Sequence, residues 1–123
     1  SFISHAGLPL NWKIECDALS EDDWKGIARM IMDYEKRPFG SVEGIPRGGI
    51  PLAKALSEYA TEGPPMIVDD VYTTGTSFKK FCTNKDTMWA YKWCIFARKP
   101  IPLDDDINAL FTMPPTNKEE EDD

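Results

Sequence analysis

The sequence predicts an α/β fold, a small doubly wound parallel sheet, and three observations carry that expectation. Met66, Ile67 and Val68 form a continuous apolar run closed by Asp69 and Asp70. A run without alternation suits a strand buried on both faces of a parallel sheet. Residues 88–97 are again largely apolar and supply a second central strand. Strand-like and helix-like segments alternate between and before them, which is the order of βαβ units.

The elements follow in order. Trp12, Ile14 and Cys16 alternate with Lys13 and Glu15, the pattern of a half-exposed strand. Gly7 and Pro9 ahead of it suit a turn, so a small hairpin is expected. Ser20 is an N-cap residue, and Glu21, Asp22 and Asp23 complement the positive end of a helix. Trp24, Ile27, Ala28, Ile31 and Tyr34 then share one face at helical spacing. Lys36 and Arg37 suit the negative end, and Pro38 stops the helix. Residues 41–45 read as a short strand leading into Pro46-Arg47-Gly48-Gly49. A second helix is expected from Pro51, with Leu52, Leu56, Tyr59 and Ala60 as its stripe. After the strand at 66–68, Thr73, Thr74, Gly75, Thr76 and Ser77 form a loop. Ser77 would cap a short helix bearing Phe78 and Phe81. Residues 100–115 hold three Asp and four Pro and are expected to be irregular.

The chain has 123 residues, enough for one domain, which is placed at 1–117. Net charge is −7, of which −4 lies in the last six residues. Residues 118–123 therefore read as an acidic disordered tail. The remaining −3 argues against a broad nucleic-acid surface, which needs clustered Lys and Arg. No apolar run reaches the ~18 residues of a membrane span, and no signal-peptide pattern is present, so a cytoplasmic location is expected. Cys16, Cys82 and Cys94 lack zinc-ligand spacing and read as reduced thiols.

The chemistry concentrates in Val-Asp-Asp-Val-Tyr-Thr-Thr-Gly-Thr-Ser, residues 68–77. An acid pair at the carboxyl end of a buried strand lies where open α/β sheets bind ligands. Small hydroxyl residues and a glycine before a helix expose amides and hydroxyls to a phosphate. Carboxylates repel that phosphate, so Asp69 and Asp70 suit the neutral hydroxyls of its sugar or a nearby metal ion. A second loop, Gly-Ile-Pro-Arg-Gly-Gly-Ile-Pro at 44–51, also joins a strand to a helix. Arg47 offers a planar cationic fork there, and Gly48 permits close backbone approach. Two anion-adapted loops on neighbouring strands imply a ligand with two phosphate groups. The bland alternatives are a solvated strand end or a receiver-type acid pair for Asp69 and Asp70, and a surface arginine for Arg47. Asp104, Asp105 and Asp106 read as a solvated loop rather than a metal site. Trp89, Trp93 and Phe96 read as strand core rather than stacking groups.

The 68–77 motif closely resembles the signature of the type I phosphoribosyltransferases, and Pro-Arg-Gly-Gly resembles their diphosphate loop. The segment 2–19 is similar to the start of orotate phosphoribosyltransferase-like chains, where it helps build a short hood over the base. The resemblance covers most of residues 2–99. It implies that Asp69 and Asp70 bind the ribose hydroxyls, directly or through Mg2+, as the catalytic pair. It implies that Thr73, Thr74, Gly75, Thr76 and Ser77 hold the 5-phosphate, and that Arg47 and Gly48 contact the diphosphate. Lys13 and His5 would lie near the base. The implied activity transfers ribose 5-phosphate from phosphoribosyl diphosphate to a nucleobase nitrogen, with orotate one option, in a homodimer. Related enzymes carry a further strand and a mobile loop where this chain has residues 50–65, and Tyr72 stands where they favour a smaller aliphatic residue. A non-catalytic sensor of phosphoribosyl diphosphate or nucleotide, and a nucleic-acid-binding regulator that kept the site, are the alternatives.

Overall fold

The computed structural model describes residues 18–83, 87 and 89–114. The expected hairpin and strand at 12–16, the hood, Lys13, His5 and the acidic tail all lie outside the described residues. Helix α1 spans Glu21–Tyr34. Strand β1 follows at Ser41–Gly44 and helix α2 at Ile50–Leu56, which passes into a 3-10 turn at Ser57–Tyr59. Strand β2 is Pro65–Tyr72, helix α3 is Thr76–Phe81, and strand β3 is Tyr91–Ala97. A 3-10 turn at Leu103–Asp105 leads into strand β4, Asn108–Thr112.

Helix α1 starts where its cap dictates. The Asp23 amide donates to Ser20 Oγ at 3.2 Å, and the Ser20 amide donates back to Asp23 Oδ2 at 3.0 Å. This reciprocal box satisfies two donors that a helix start leaves without partners. Trp24, Ile27, Ala28 and Ile31 are buried as the spacing predicts. Tyr34 is not; it is 71% exposed, because the helix ends there and its last turn runs past the core. Lys36 and Arg37 lie beyond that end and do not complement the helix dipole.

The four strands are all parallel and lie in the order β1-β2-β3-β4. The chain is thus α/β, with a small parallel sheet. Helices α1 and α2 pack Trp24, Ile27, Leu52 and Leu56 against Met66, Val68, Trp93 and Ile95. Phe78 of α3 packs with Ile67, Tyr72, Cys94 and Ala97 in a separate cluster. The two clusters cover opposite faces of the central strands, which is why Met66, Ile67 and Val68 are all fully buried. Strand order follows chain order, so the described strands contain no reversal of the kind that makes a ligand crevice in doubly wound sheets.

Three expectations are corrected. Strand β4 occupies part of the segment read as irregular. Asn108, Ala109, Phe111 and Thr112 pair with Trp93, Cys94, Phe96 and Ala97 of β3, so backbone pairing to a neighbour outweighs the flanking Asp and Pro. The second helix stops at Leu56, leaving Tyr59 in the 3-10 turn and 38% exposed. The third strand begins at Tyr91, and Trp89 before it is 75% exposed rather than core. Trp93 and Phe96 are core as expected. Among the described residues, no helix is long and apolar enough to cross a membrane.

A buried polar cluster ties the end of α1 to β3. Glu35 is 4% exposed. Its carboxylate accepts from Arg37 Nε at 2.9 Å, from Arg37 Nη2 at 2.7 Å and from the Arg37 amide at 3.0 Å. Trp93 Nε1 donates to Glu35 Oε1 at 3.0 Å. The Arg37 guanidinium also lies 3.8 Å from the centre of the Tyr91 ring, a cation–π contact. Tyr91 opens β3, so the cluster sits toward the amino ends of the strands, away from both candidate ligand loops.

Candidate functional site

Parallel pairing brings the carboxyl ends of β1 and β2 to one edge of the sheet. Gly44 is in register with Val68, so the 45–49 loop leaves β1 directly beside Asp69. The Ile45 amide donates to the Val68 carbonyl at 2.8 Å, and the Gly49 amide donates to the Ile45 carbonyl at 2.8 Å. The loop is thus tied to β2 and folded back on itself. The Pro46–Arg47 peptide is cis.

The acid pair does not follow the strand; it lies within it. Strand β2 continues through Asp69 and Asp70 to Tyr72, and the two carboxylate residues are 6% and 4% exposed. Asp69 Oδ1 accepts from the Asp70 amide at 2.8 Å, and Asp70 Oδ1 accepts from the Val71 amide at 2.7 Å. Asp69 and Val71 pair with Cys94 and Phe96 of β3, in one register on either side of Asp70. Met66 and Val68 join one cluster, and Val71 joins it too, three residues on rather than two. The register with β3 is the same before and after Asp70, and each carboxylate turns back to accept the amide that follows it.

Gly48 connects the two loops. A Cβ there would lie 2.7 Å from Asp70 Oδ1 and nearer still to Oδ2. The backbone of the Pro46-Arg47-Gly48-Gly49 loop therefore rests against the Asp70 carboxylate, with no room for a side chain. Arg47 projects from the same loop, is exposed, and makes no ion pair with a described residue. The fold sets Gly48 against Asp70, with Arg47 and Asp69 as their neighbours in the chain.

The third part is the 73–77 segment. Helix α3 begins at Thr76, with Gly75 rather than Ser77 as its N-cap, and no side chain caps it. The expected Ser77 cap is corrected: Gly75 adopts φ +86°, a left-handed conformation that glycine takes without strain, and this starts the helix early. Thr74 Oγ1 and Thr76 Oγ1 lie 2.9 Å apart, and the Thr76 amide points to Thr74 Oγ1 at 3.4 Å. Thr73, Thr74, Thr76 and Ser77 are exposed while Gly75 is buried. The helix has six residues, so its dipole adds little and the hydroxyls and amides of the turn carry what anion affinity it has.

Asp105, expected in a solvated loop, is half-buried. The Tyr72 hydroxyl donates to its Oδ2 at 2.9 Å. Burial, then that hydrogen bond, pushes the Tyr72 phenol up to about 12. Only the three-dimensional meeting of β2 with the turn before β4 makes this pair, so no local pattern announces it. A cavity of about 310 Å3 opens beside it, with Gly75, Phe78, Lys79, Lys92 and Asp105 among its walls; Asp69, Asp70 and Arg47 do not line it. Cys94 is buried behind the acid pair, and burial, followed by Asp69 and Asp70, pushes its thiol up, so it stays protonated. Cys82 and Cys94 are free thiols.

No group of three or more His, Cys, Asp or Glu side chains among the described residues could hold a metal ion. The acid pair nevertheless fits magnesium in one mode. Mg2+ retains several waters and commonly takes one or two carboxylates plus ligand phosphates, rather than a protein cage. Two buried carboxylates, each with one oxygen on a backbone amide, fit contact through water or ribose hydroxyls.

No protein-family model matches the chain, and no curated protein matches it significantly.

Proposed function

We propose that this chain binds phosphoribosyl diphosphate at the joined carboxyl ends of β1 and β2 and transfers its ribose 5-phosphate to a nucleobase nitrogen. The observation that carries the proposal is the approach of Gly48 to Asp70. It joins an arginine- and glycine-containing loop to a buried acid pair. Asp69 and Asp70 accept hydrogen bonds from the ribose hydroxyls, each such charge-assisted bond adding about 1.5–3 kcal/mol. Arg47 engages the exposed diphosphate by its fork, and the turn at Thr73, Thr74, Gly75, Thr76 and Ser77 takes the 5-phosphate. In the reaction the bond from the anomeric carbon to the diphosphate oxygen breaks, and its electron pair leaves with diphosphate. A base nitrogen forms the new bond, and its proton passes to solvent. The two carboxylates favour the cationic character of the sugar in the transition state. Magnesium, held by Asp69 and Asp70 through water or the ribose hydroxyls, would supply charge neutralisation for the leaving diphosphate.

One observation favours a second reading, a sensor that binds the same ligand without turnover. Strands β1 and β2 are direct neighbours, and α2 and one 3-10 turn are the regular elements of the connection between them. No further strand or long loop from that connection covers the site and excludes water. A diphosphate-release assay with magnesium and a panel of nucleobases separates the two. Transfer predicts release that requires both base and magnesium. A sensor predicts saturable binding with no release, and absence of binding rejects both readings.

A further inference from the structure

Tyr72 ends β2, three residues before Gly75, and is 2% exposed. Its backbone carbonyl accepts from the Arg98 amide at 2.9 Å, and its hydroxyl donates to Asp105 across 33 residues of chain. Asp105 is fixed in turn: its amide donates to the Pro102 carbonyl at 3.0 Å, and Asp106 after it is left-handed at φ 52°. Both side chains converge on Gly75. A Cβ at Gly75 would lie 3.1 Å from Tyr72 Cε2, 3.2 Å from Tyr72 Oη and 3.4 Å from Asp105 Oδ2. Gly75 is the buried point of a turn whose other four residues are exposed.

We infer that Asp105 is a positioning residue, which acts through Tyr72 to hold Gly75 and so fixes the hydroxyls and amides of the 73–77 turn. The ordering of the turn stands on these contacts alone, whereas its effect on a ligand rests on the proposed ribose phosphate site. Asp105 works as a hydrogen-bond acceptor. Its charge opposes a nearby phosphate, so the neutral acceptor in D105N preserves the device and removes the repulsion.

The test measures amide hydrogen exchange in the free protein and calorimetric binding of ribose 5-phosphate, for wild type, Y72F, D105A, D105N and Y72F/D105A. Tyr72→Phe keeps the ring and removes only the donor. Loss of one hydrogen bond to a charged group predicts about tenfold faster exchange at residues 73–77 and about tenfold weaker binding in Y72F and D105A. D105N is expected to keep wild-type exchange and bind at least as tightly, and the double variant to be no worse than either single one. Unchanged exchange at 73–77 in Y72F and D105A overturns the inference. So does a D105N variant as loose as D105A, or an equal rise in exchange along β3, which marks general destabilisation. If the turn loosens as expected while wild type binds no ribose 5-phosphate, the positioning role stands and the ribose phosphate reading falls.

Discussion

Replacing Gly48 by alanine is expected to cut binding of phosphoribosyl diphosphate by about 100-fold while leaving the protein folded. Gly48 does not have a positive φ, so alanine meets no backbone strain there. The whole effect comes from the added methyl, which occupies the place of the Asp70 carboxylate. Asp70 must then turn away or the loop must lift. Overpacking of this kind costs about 1–3 kcal/mol of stability. The ligand loses more. A displaced Asp70 gives up its hydroxyl contacts, at about 1.5–3 kcal/mol each, and a lifted loop removes Arg47 from the diphosphate. Calorimetry with magnesium present, beside a thermal melt, reads both quantities. A G48A protein that melts a few degrees lower and binds like wild type would show that the contact between the loops is packing alone.

The second large effect concerns stability. Glu35→Ala is expected to cost about 3 kcal/mol, because it leaves the buried Trp93 Nε1 without an acceptor and Arg37 without its bidentate partner. For a domain of this size that is a fall in Tm of about 10 °C. Arg37 is half-exposed and regains water, which keeps the cost below that of a fully buried broken pair. The same carboxylate sets a pH dependence. Burial alone would raise the Glu35 carboxyl; hydrogen bonds from Arg37 and Trp93 override it and hold it at about 2, against an ordinary 4.5. A depressed carboxyl stabilises the fold fully above 4.5, and that stabilisation is lost as pH falls from 4.5 towards 2. Thermal melts across this window should show the loss in wild type, and a Glu35→Gln variant should lack this component. Ligand binding at pH 7 is unaffected by Glu35→Gln, since the cluster lies away from the ligand loops.

What the sequence discloses depends on how local the cause is. The start of α1 was legible because Ser20 and Asp23 carry the capping box within four residues. Strand β2 was legible because burial on both faces removes the need for polar alternation. The acid pair and the Arg47 loop were legible as motifs, and parallel pairing of β1 with β2 then sets them side by side. Strand β4 was not legible, since a five-residue strand next to prolines owes its existence to pairing with β3. The role of Asp105 was hidden for the same reason, because its partner Tyr72 is 33 residues away. Glu35 gives no sign of burial in sequence; its charge is tolerated only because Arg37 and Trp93 converge on it.

Asp69 and Asp70 are proposed to form the ribose-binding half of a phosphoribosyl diphosphate site. Calorimetric titration of phosphoribosyl diphosphate with magnesium, into wild type and into Asp69→Asn/Asp70→Asn, tests it most directly. Saturable binding by the wild type is expected, abolished in the double variant at unchanged fold as read by circular dichroism. Equal binding by both proteins, or none by the wild type, would contradict it.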